Sequence, residues 1–173
     1  PLGTGTLLAA DMRFKARHRW MEAALRQMLL SNKKAAECFI QHRATACTDI
    51  TGFGLAGHLF EMLESNNIEV ELSLADLPAL DGALETLQQG IFSSLHADNA
   101  LVRNNIFNSE AFHGNPRFDL MFDPQTAGGL LASVPDVEAE ACIKRLREWG
   151  YPEAKAIGRV AKTAAQLPAL ILK

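Results

Sequence analysis

The chain has 173 residues, the length of one ordinary domain, and 48% of them are hydrophobic and 21% charged, which is typical of a soluble globular protein. The 17 basic and 20 acidic residues give a formal net charge of −3, which argues against a generally basic nucleic-acid-binding protein. The sequence holds no apolar run near the roughly 18 residues of a membrane span. We therefore expect neither nucleic acid nor a membrane among its partners.

The three cysteines, Cys38, Cys47 and Cys142, are widely spaced and include no C-x-x-C pair. This spacing predicts neither a zinc knuckle nor a redox dithiol. Scattered cysteines are typical of a protein from the reducing cytoplasm. Each of the three is interpreted as a small buried hydrophobic residue.

Charge and the start of the chain carry further information. Between Asp11 and Arg43, eight basic residues outnumber three acidic ones, so this segment carries +5 and the remainder −8. Two interpretations remain open: a solvent-exposed helix face, or a positive rim that faces a polyanion such as a nucleotide phosphate. The chain begins at Pro1 in apolar sequence, without Met or a signal-peptide pattern, so we expect part of a longer protein.

In the N-terminal part, hydrophobic spacing distinguishes helices, with steps of three and four, from strands, with steps of two. The predicted elements are, in order, a strand over 2–10 ended by Asp11, a helix from Trp20 to Leu29, a second helix capped by Ser31, a buried strand over 44–50, a helix from Leu55 that ends near 65–67, and an alternating strand over 68–74.

The C-terminal part continues the same interleaving of helices and strands. The predicted elements are a helix capped by Asp81 and ended by Gly90, a short helix near 99–106, a mobile loop over 113–116, a strand over 118–122, a turn over 123–129, a strand over 130–134, a helix from Pro135 to Trp149 ended by Gly150, and strands over 154–160 and 167–172. This order predicts an α/β (α+β) fold with a mixed β-sheet covered by helices.

The segment ACTDITGFGLAGH, residues 46–58, is the most informative part of the chain. It places Asp49 at the end of a strand, before a glycine-bearing turn and the start of a helix. Such a turn exposes backbone N–H groups, and a carboxylate at a strand end can hold Mg²⁺ beside a bound phosphate. Gly52 and Gly54 would allow a ligand to approach the backbone. The alternative is a structural connection in which Asp49 only caps the helix.

A second segment, FDPQTAGGLL over 122–131, contains the residues of a tight turn between two apolar stretches, and its simplest interpretation is structural. The five histidines are scattered, and none has a metal-ligand partner at helical spacing. His58 is accordingly interpreted as a capped or solvated residue.

Four segments, in order and at suitable spacing, resemble one known family: PLGTG, ACTDITGFGLAGHLFEML, GIFSSLHADN and FDPQTAGGLLASVP. Together they closely resemble the C-terminal domain of selenophosphate synthetase (selenide, water dikinase). The resemblance covers most of the chain, and the pair TDITGFG and DPQTAGG is highly specific. Aminoimidazole ribonucleotide synthetase and related kinases share the fold but carry other residues at these turns.

The resemblance implies an aminoimidazole ribonucleotide synthetase C-terminal domain-like fold, with 1–173 as a single C-terminal domain. The family makes selenophosphate from selenide, ATP and water, releasing AMP and phosphate, and requires Mg²⁺. Its ATP site lies between this domain and an N-terminal domain that carries the nucleophile and is absent from this chain. We therefore expect a phosphotransferase as the whole protein and an inactive isolated fragment.

The resemblance also assigns roles to particular residues. The Asp of the T-D-I-T-G-F-G turn binds Mg²⁺ in the family, so Asp49 is expected to be a metal ligand. Thr48, Thr51 and Gly52 flank it and are expected on the phosphate side of the ATP site. No residue of this chain is expected to be catalytic, and Cys47 is not assigned the nucleophile's role.

The resemblance further implies a cytoplasmic homodimer in which this domain contacts its own N-terminal domain. Two alternatives to the dikinase stay open. The chain could be a stand-alone, non-catalytic binding or dimerisation module of the same fold. It could also belong to another ATP-using enzyme of the superfamily.

Overall fold

The computed structural model describes residues 1–63, 68–162 and 169–173. In these ranges the helices are α1 (Thr4–Met12), α2 (His18–Met28), α3 (Lys33–Gln41), α4 (Gly54–Leu63), α5 (Ala83–Gln88), α6 (His96–Asn99), α7 (Pro116–Leu120) and α8 (Asp136–Glu148). The strands are β1 (Ala46–Asp49), β2 (Ile68–Leu72), β3 (Leu130–Ser133), β4 (Gly158–Lys162) and β5 (Ala169–Leu172). Short 3₁₀ helices occur at Leu74–Asp76, Ala100–Asn105 and Ser109–Phe112.

These strands form two small sheets. In the first, β1 and β3 are antiparallel, with Asp49 opposite Leu130 and Ala46 opposite Ser133. The second has the order β4-β2-β5, with β2 antiparallel to β4 and parallel to β5. The predicted mixed sheet is therefore present, and a separate two-stranded ribbon accompanies it. That ribbon joins the two glycine-rich segments identified in the sequence.

The hydrophobic core has a large and a small part. The large cluster gathers side chains from α1, α2, α4, α5 and α7 and from β2 and β5, with Leu7, Phe118 and Leu170 essentially inaccessible to solvent. The small cluster lies between α3 and α8 and contains Cys38 and Cys142. Such burial of apolar surface is the main stabilising contribution to a domain of this size.

Two predicted strands are helices. Residues 2–10 form α1, which begins at Thr4 after Gly3 adopts φ +122°, and only Leu2 makes a β-bridge, to Ala79. Residues 118–122 overlap α7, whose N-cap Asn115 accepts a hydrogen bond from the Arg117 N–H at 2.9 Å. Helix α1 is largely buried and lacks the polar face that gives a helix its sequence period, and α7, with five residues, is too short to show that period.

Strand β1 is shorter and more exposed than the buried strand predicted over 44–50. Its side chains alternate between half-buried and exposed, with Cys47 and Asp49 on the exposed face. The prediction of a buried thiol is therefore wrong for Cys47. It is confirmed for Cys38 and Cys142, which are 0% and 2% exposed.

Most remaining differences concern where elements begin or end. Asn32 rather than Ser31 occupies the N-cap of α3, and Gly82 rather than Asp81 precedes α5. Strand β4 begins only at Gly158, and the predicted helix near 99–106 divides into α6 and a 3₁₀ helix. The expected end of α4 near 65–67 and the first two residues of the 167–172 strand lie outside the described residues. The mobility expected of 113–116 stays a prediction.

The long amphipathic helices α2, α3, α4 and α8 are confirmed, as are β2 and β3. Within the described ranges, no helix is long and apolar enough to cross a membrane.

Candidate functional site

The start of the chain and the DPQTAGG segment, which are far apart in sequence, meet at the buried side chain of Asp123. Its Oδ2 atom accepts hydrogen bonds from the Gly5 N–H and from Nε2 of Gln125, both at 3.0 Å. The same Nε2 group donates to the Asp123 carbonyl at 2.8 Å. The loop of the DPQTAGG segment is thereby fixed to the beginning of the chain.

Gln125 completes this connection by capping α1. Its Oε1 atom accepts from the N–H groups of Gly3 (2.9 Å) and Thr4 (3.2 Å), and the Thr4 hydroxyl in turn accepts from the Thr126 N–H at 2.9 Å. The first N–H groups of a helix have no partner within the helix, so a buried helix start requires such acceptors. We refer to the side chains of Asp123 and Gln125, with the backbone of Gly3–Gly5 that they bind, as the Asp123–Gln125 junction.

The electrostatics of the junction are dominated by desolvation. Asp123 is completely buried, and this burial raises the pKa of its carboxyl to about 7, although hydrogen bonds from Gln125, Gly5 and Thr6 favour the ionised form. Its Oδ1 atom has no hydrogen-bond partner. A carboxyl group in this environment takes up a proton at a much higher pH than one exposed to water.

Close packing explains two of the glycines in and beside the junction. A Cβ atom on Gly5 would lie 2.7 Å from Oδ1 of Asp123, and one on Gly128 would overlap the Ile50 carbonyl oxygen. By contrast, a Cβ on Gly129 would meet no atom within 4 Å. These close approaches explain why positions 5 and 128 hold glycine rather than a residue with a side chain.

The turn after β1 rests on the same loop. The Gln125 N–H donates to the Thr51 carbonyl and the Ile50 N–H to the Gly129 carbonyl, both at 2.9 Å. Nδ2 of Asn99 donates to the carbonyls of Gly52 (2.8 Å) and Phe122 (3.1 Å). These bonds hold the turn in a fixed position relative to the junction beneath it.

Gly54 starts α4 immediately after this turn. Its φ is +69°, and a Cβ atom there would lie 2.9 Å from the Met121 carbonyl oxygen, which also accepts the Ala56 N–H at 2.9 Å. Gly54 therefore has a structural role, whereas the sequence also allowed a ligand approach there. Gly52 differs, because a Cβ on it would meet nothing within 4 Å.

The sequence-predicted site residues lie together in one surface segment, Thr48–Gly52, which we call the 48–52 segment. Asp49 is exposed at the end of β1, and the half-buried Thr48 donates from its hydroxyl to the Asp49 carbonyl at 3.3 Å. The Thr51 hydroxyl instead contacts Nε2 of His58 at 3.1 Å. The Asp49 carboxylate is the group of this segment best placed to meet a ligand.

His58 is a member of this region that the sequence interpretation missed. It is buried, and its ring lies between the Thr51 hydroxyl and Oε2 of Glu61, the latter 2.9 Å from Nδ1. Of the two alternatives for His58, capped or solvated, the solvated one is wrong. The three-residue spacing of His58 and Glu61 places both on one face of α4 and could have revealed the pair.

The side chains around Asp49 limit the kind of metal site that this chain can form there. Burial of the Cys47 thiol raises its pKa, and the nearby negative charge of Asp49 raises it further. Cys47 is therefore held in its neutral form. Within the described ranges, no group of three or more His, Cys, Asp and Glu side chains close enough to share one ion includes Asp49. The carboxylate supplies one hard oxygen ligand, and Mg²⁺ usually completes such a site with waters and phosphate oxygens.

A surface cavity of about 440 Å³ lies elsewhere, between residues 75–85 and the region 147–155. None of the glycine-containing segments lines it. Within the 48–52 segment, Asp49 is exposed, Ile50 is buried and the other three residues are half-buried.

Comparison with known proteins places these segments in a family. The family model described as AIR synthase related protein, C-terminal domain, matches residues 2–166. The chain is 34% identical over 151 residues to the selenide, water dikinase of Treponema denticola, covering 86% of this chain and 42% of that protein. It is 36% identical over 170 residues to the selenide, water dikinase of Pelobacter propionicus, covering 92% of this chain and 46% of that protein.

A solved structure supports the same fold. The crystal structure of the hydrogenase maturation protein HypE matches 99% of this chain with a TM-score of 0.62 at 18% sequence identity, over 46% of its own length. The chain thus spans about half the length of the curated relatives and of the solved structure that it matches. The expected α/β fold is confirmed, and the chain belongs to the family of AIR synthase related proteins, as their C-terminal domain.

Proposed function

We propose that this chain forms the C-terminal half of a selenide, water dikinase, a phosphotransferase that makes selenophosphate from selenide, ATP and water and releases AMP and phosphate. Identities of 34–36% to proteins of that name over most of the chain support the assignment. The observation that carries it is the exposed Asp49 carboxylate of the 48–52 segment, because the motifs of the family resemblance meet beneath this segment and hold it in place.

Asp49 would hold Mg²⁺ in this function. Its carboxylate is exposed, sits on a turn fixed by backbone hydrogen bonds, and is the hard oxygen donor that Mg²⁺ prefers. When bound, the ion neutralises charge on the phosphates of ATP. One carboxylate is an incomplete site, so the remaining ligands come from the nucleotide, water and the other half of the enzyme.

The other predicted residues differ in how well their surroundings suit contact with phosphate. Gly52 has open space above its Cα atom, so a phosphate can approach its backbone closely. The Thr51 hydroxyl is engaged by His58, which suits a role in holding the turn. The Thr48 hydroxyl lies on the neighbouring backbone and contributes at most a secondary contact.

The remaining parts of the enzyme lie outside this chain in this proposal. An N-terminal domain supplies the nucleophile and most of the ATP site, which agrees with the greater length of the curated relatives. We further propose a cytoplasmic homodimer. No residue of this chain is assigned a catalytic role, and Cys47, a neutral thiol on the exposed face of β1, is not the nucleophile.

The direct test is to supply the full-length protein, which includes the N-terminal half, with selenide, ATP and Mg²⁺. The proposal predicts AMP as the nucleotide product and a selenium–phosphorus signal in ³¹P NMR. ADP as the sole nucleotide product would instead indicate another ATP-using enzyme of the superfamily. A complete lack of nucleotide turnover in the protein joined to its N-terminal half would favour a non-catalytic module.

A further inference from the structure

Helices α3 and α8 bring together two thiols and an imidazole on the far side of the β1–β3 ribbon from the large core. The Sγ atoms of Cys38 and Cys142 are 4.0 Å apart, and Sγ of Cys38 is 3.6 Å from Nδ1 of His42. All three potential ligand atoms lie within 4.8 Å of one another. Within the described residues, no other group of this kind occurs.

We propose that Cys38, His42 and Cys142 form a binding site for a thiophilic divalent cation, and that Zn²⁺ is the ion whose ligand preferences they match. The site is separate from the 48–52 segment and does not depend on the dikinase proposal.

The distances agree with tetrahedral coordination. Zinc binds cysteine sulfur at about 2.3 Å and histidine nitrogen at about 2.0–2.1 Å, so ligand atoms of one ion are separated by about 3.8 Å for two sulfurs and about 3.6 Å for sulfur and nitrogen. The Cys38–Cys142 and Cys38–His42 separations differ from these values by a few tenths of an ångström or less. The ligand atoms of Cys142 and His42 lie within 4.8 Å of each other, and side-chain rotations that bring them closer would complete the site around an ion.

The sequence arrangement explains how the helices present these ligands. Cys38 and His42 are four residues apart, so they lie on one face of α3 at its C-terminal end, and Cys142 faces them from the middle of α8. The two helices pack through Ala35, Leu146 and the cysteines themselves. A rigid helix pair therefore positions two ligands on one element and the third on the other.

The charge balance also suits a buried ion. Zn²⁺ with two thiolates and a neutral imidazole carries no net charge, which lowers the cost of burial in an apolar cluster. Burial and the neighbouring Cys38 raise the pKa of the Cys142 thiol. Cysteine binds metal as the thiolate, so metal binding releases protons to solvent. His42 is half-buried, which leaves room for water as the fourth ligand.

One hydrogen bond must change when the ion binds. Nδ1 of His42 lies 2.8 Å from the Cys38 carbonyl oxygen, which also accepts the His42 backbone N–H at 3.0 Å. Metal binding moves the ring proton to Nε2, where water can accept it. The carbonyl keeps its helical hydrogen bond, so this change leaves no buried polar group without a partner.

The test measures zinc binding to the purified, reduced protein by competition with a chromophoric chelator. We expect wild type to bind one Zn²⁺ equivalent more than Cys38→Ala or Cys142→Ala. In these two variants the zinc affinity of the site should fall by at least about 100-fold, because losing a ligand costs more than losing a group that only hydrogen-bonds to a ligand. Cys47→Ala is the matched control and should bind like wild type. His42→Gln should weaken binding, whereas His18→Gln, at an exposed histidine on α2, should not.

A second measurement requires no variant. Co²⁺ added to the wild-type protein should give the visible bands of a tetrahedral ion and sulfur-to-cobalt charge-transfer absorption, with release of protons. The proposal is overturned if wild type binds no more metal than folded Cys38→Ala, if Cys47→Ala abolishes binding, or if the Co²⁺ spectrum lacks thiolate charge transfer.

Discussion

The 48–52 segment and the Asp123–Gln125 junction each combine an aspartate with glycine backbone, yet their surroundings are opposite. In the junction, Asp123 is fully buried and a side chain on Gly5 would press on its carboxylate. In the 48–52 segment, Asp49 is exposed and Gly52 has free space above it. Packing against the protein's own atoms explains Gly5, whereas the open space above Gly52 leaves room for a ligand.

The largest expected effect is on activity through Asp49. In the full-length enzyme, Asp49→Asn should reduce turnover by at least about 100-fold, since metal ions contribute several kcal/mol to stabilising charge in phosphoryl transfer. The melting temperature should stay unchanged because the side chain is exposed. Glu140→Gln, at an exposed carboxylate on α8, is the matched control. Normal turnover by Asp49→Asn would show that Asp49 has only a local structural role.

A large effect on stability is expected from Gly128. Gly128→Ala should lower the free energy of unfolding by about 3 kcal/mol, because the added methyl overlaps the Ile50 carbonyl and forces the ribbon and the loop apart. The neighbouring Gly129→Ala has free space and should stay within about 0.5 kcal/mol of wild type. Chemical denaturation measures both, and equal stabilities would contradict the packing described for the junction.

Stability should also depend on pH through Asp123. Its pKa is about 7 in the folded protein and 3.8 in the unfolded chain, so the folded state binds the proton more tightly. The stabilisation that Asp123 adds to the free energy of unfolding is fully present below pH 3.8. It is lost as the pH rises to about 7, at no more than about 1.4 kcal/mol per pH unit. Asp123→Asn should flatten the pH dependence of the unfolding free energy in this window. An unchanged slope would mean that the carboxyl is ionised in the fold.

The smallest effect is expected from Gly52. Gly52→Ala should leave the melting temperature unchanged and lower kcat/KM by about tenfold, equivalent to about 1.4 kcal/mol, because the methyl enters space available to the phosphates. Gly54→Ala provides the contrast within the same turn, since its φ of +69° and its contact with the Met121 carbonyl should make it destabilising. Full activity of Gly52→Ala would indicate that no ligand approaches there.

The sequence predicts the elements that have a polar and an apolar face. Helices α2, α4 and α8 are recognisable because one side of each meets solvent, and the alternation of β2 is equally plain. Helix α1 is not recognisable in this way because it is largely buried and has no polar side, and the five residues of α7 are too few to show a helical period. Their local signals are the caps, Gly3 and Asn115, and Pro116 in the first turn of α7.

For the site, the sequence identifies the turn and its carboxylate but not their support. Asp49 and Gly52 stand out through the motif, whereas the bonds from Gln125 to Gly3 and Thr4 join positions more than 120 residues apart. The pairing of Cys38 with Cys142 spans 104 residues in the same way. Spacing along the chain contains no information about contacts that only helix and loop packing create.

The most direct test of the account is specific activity per folded molecule, compared between Asp49→Asn and Gly5→Ala in the full-length enzyme. Asp49→Asn should fold normally and be nearly inactive, whereas the molecules of Gly5→Ala that remain folded should keep most of their activity. Loss of activity per folded molecule in Gly5→Ala together with normal activity in Asp49→Asn would contradict the account.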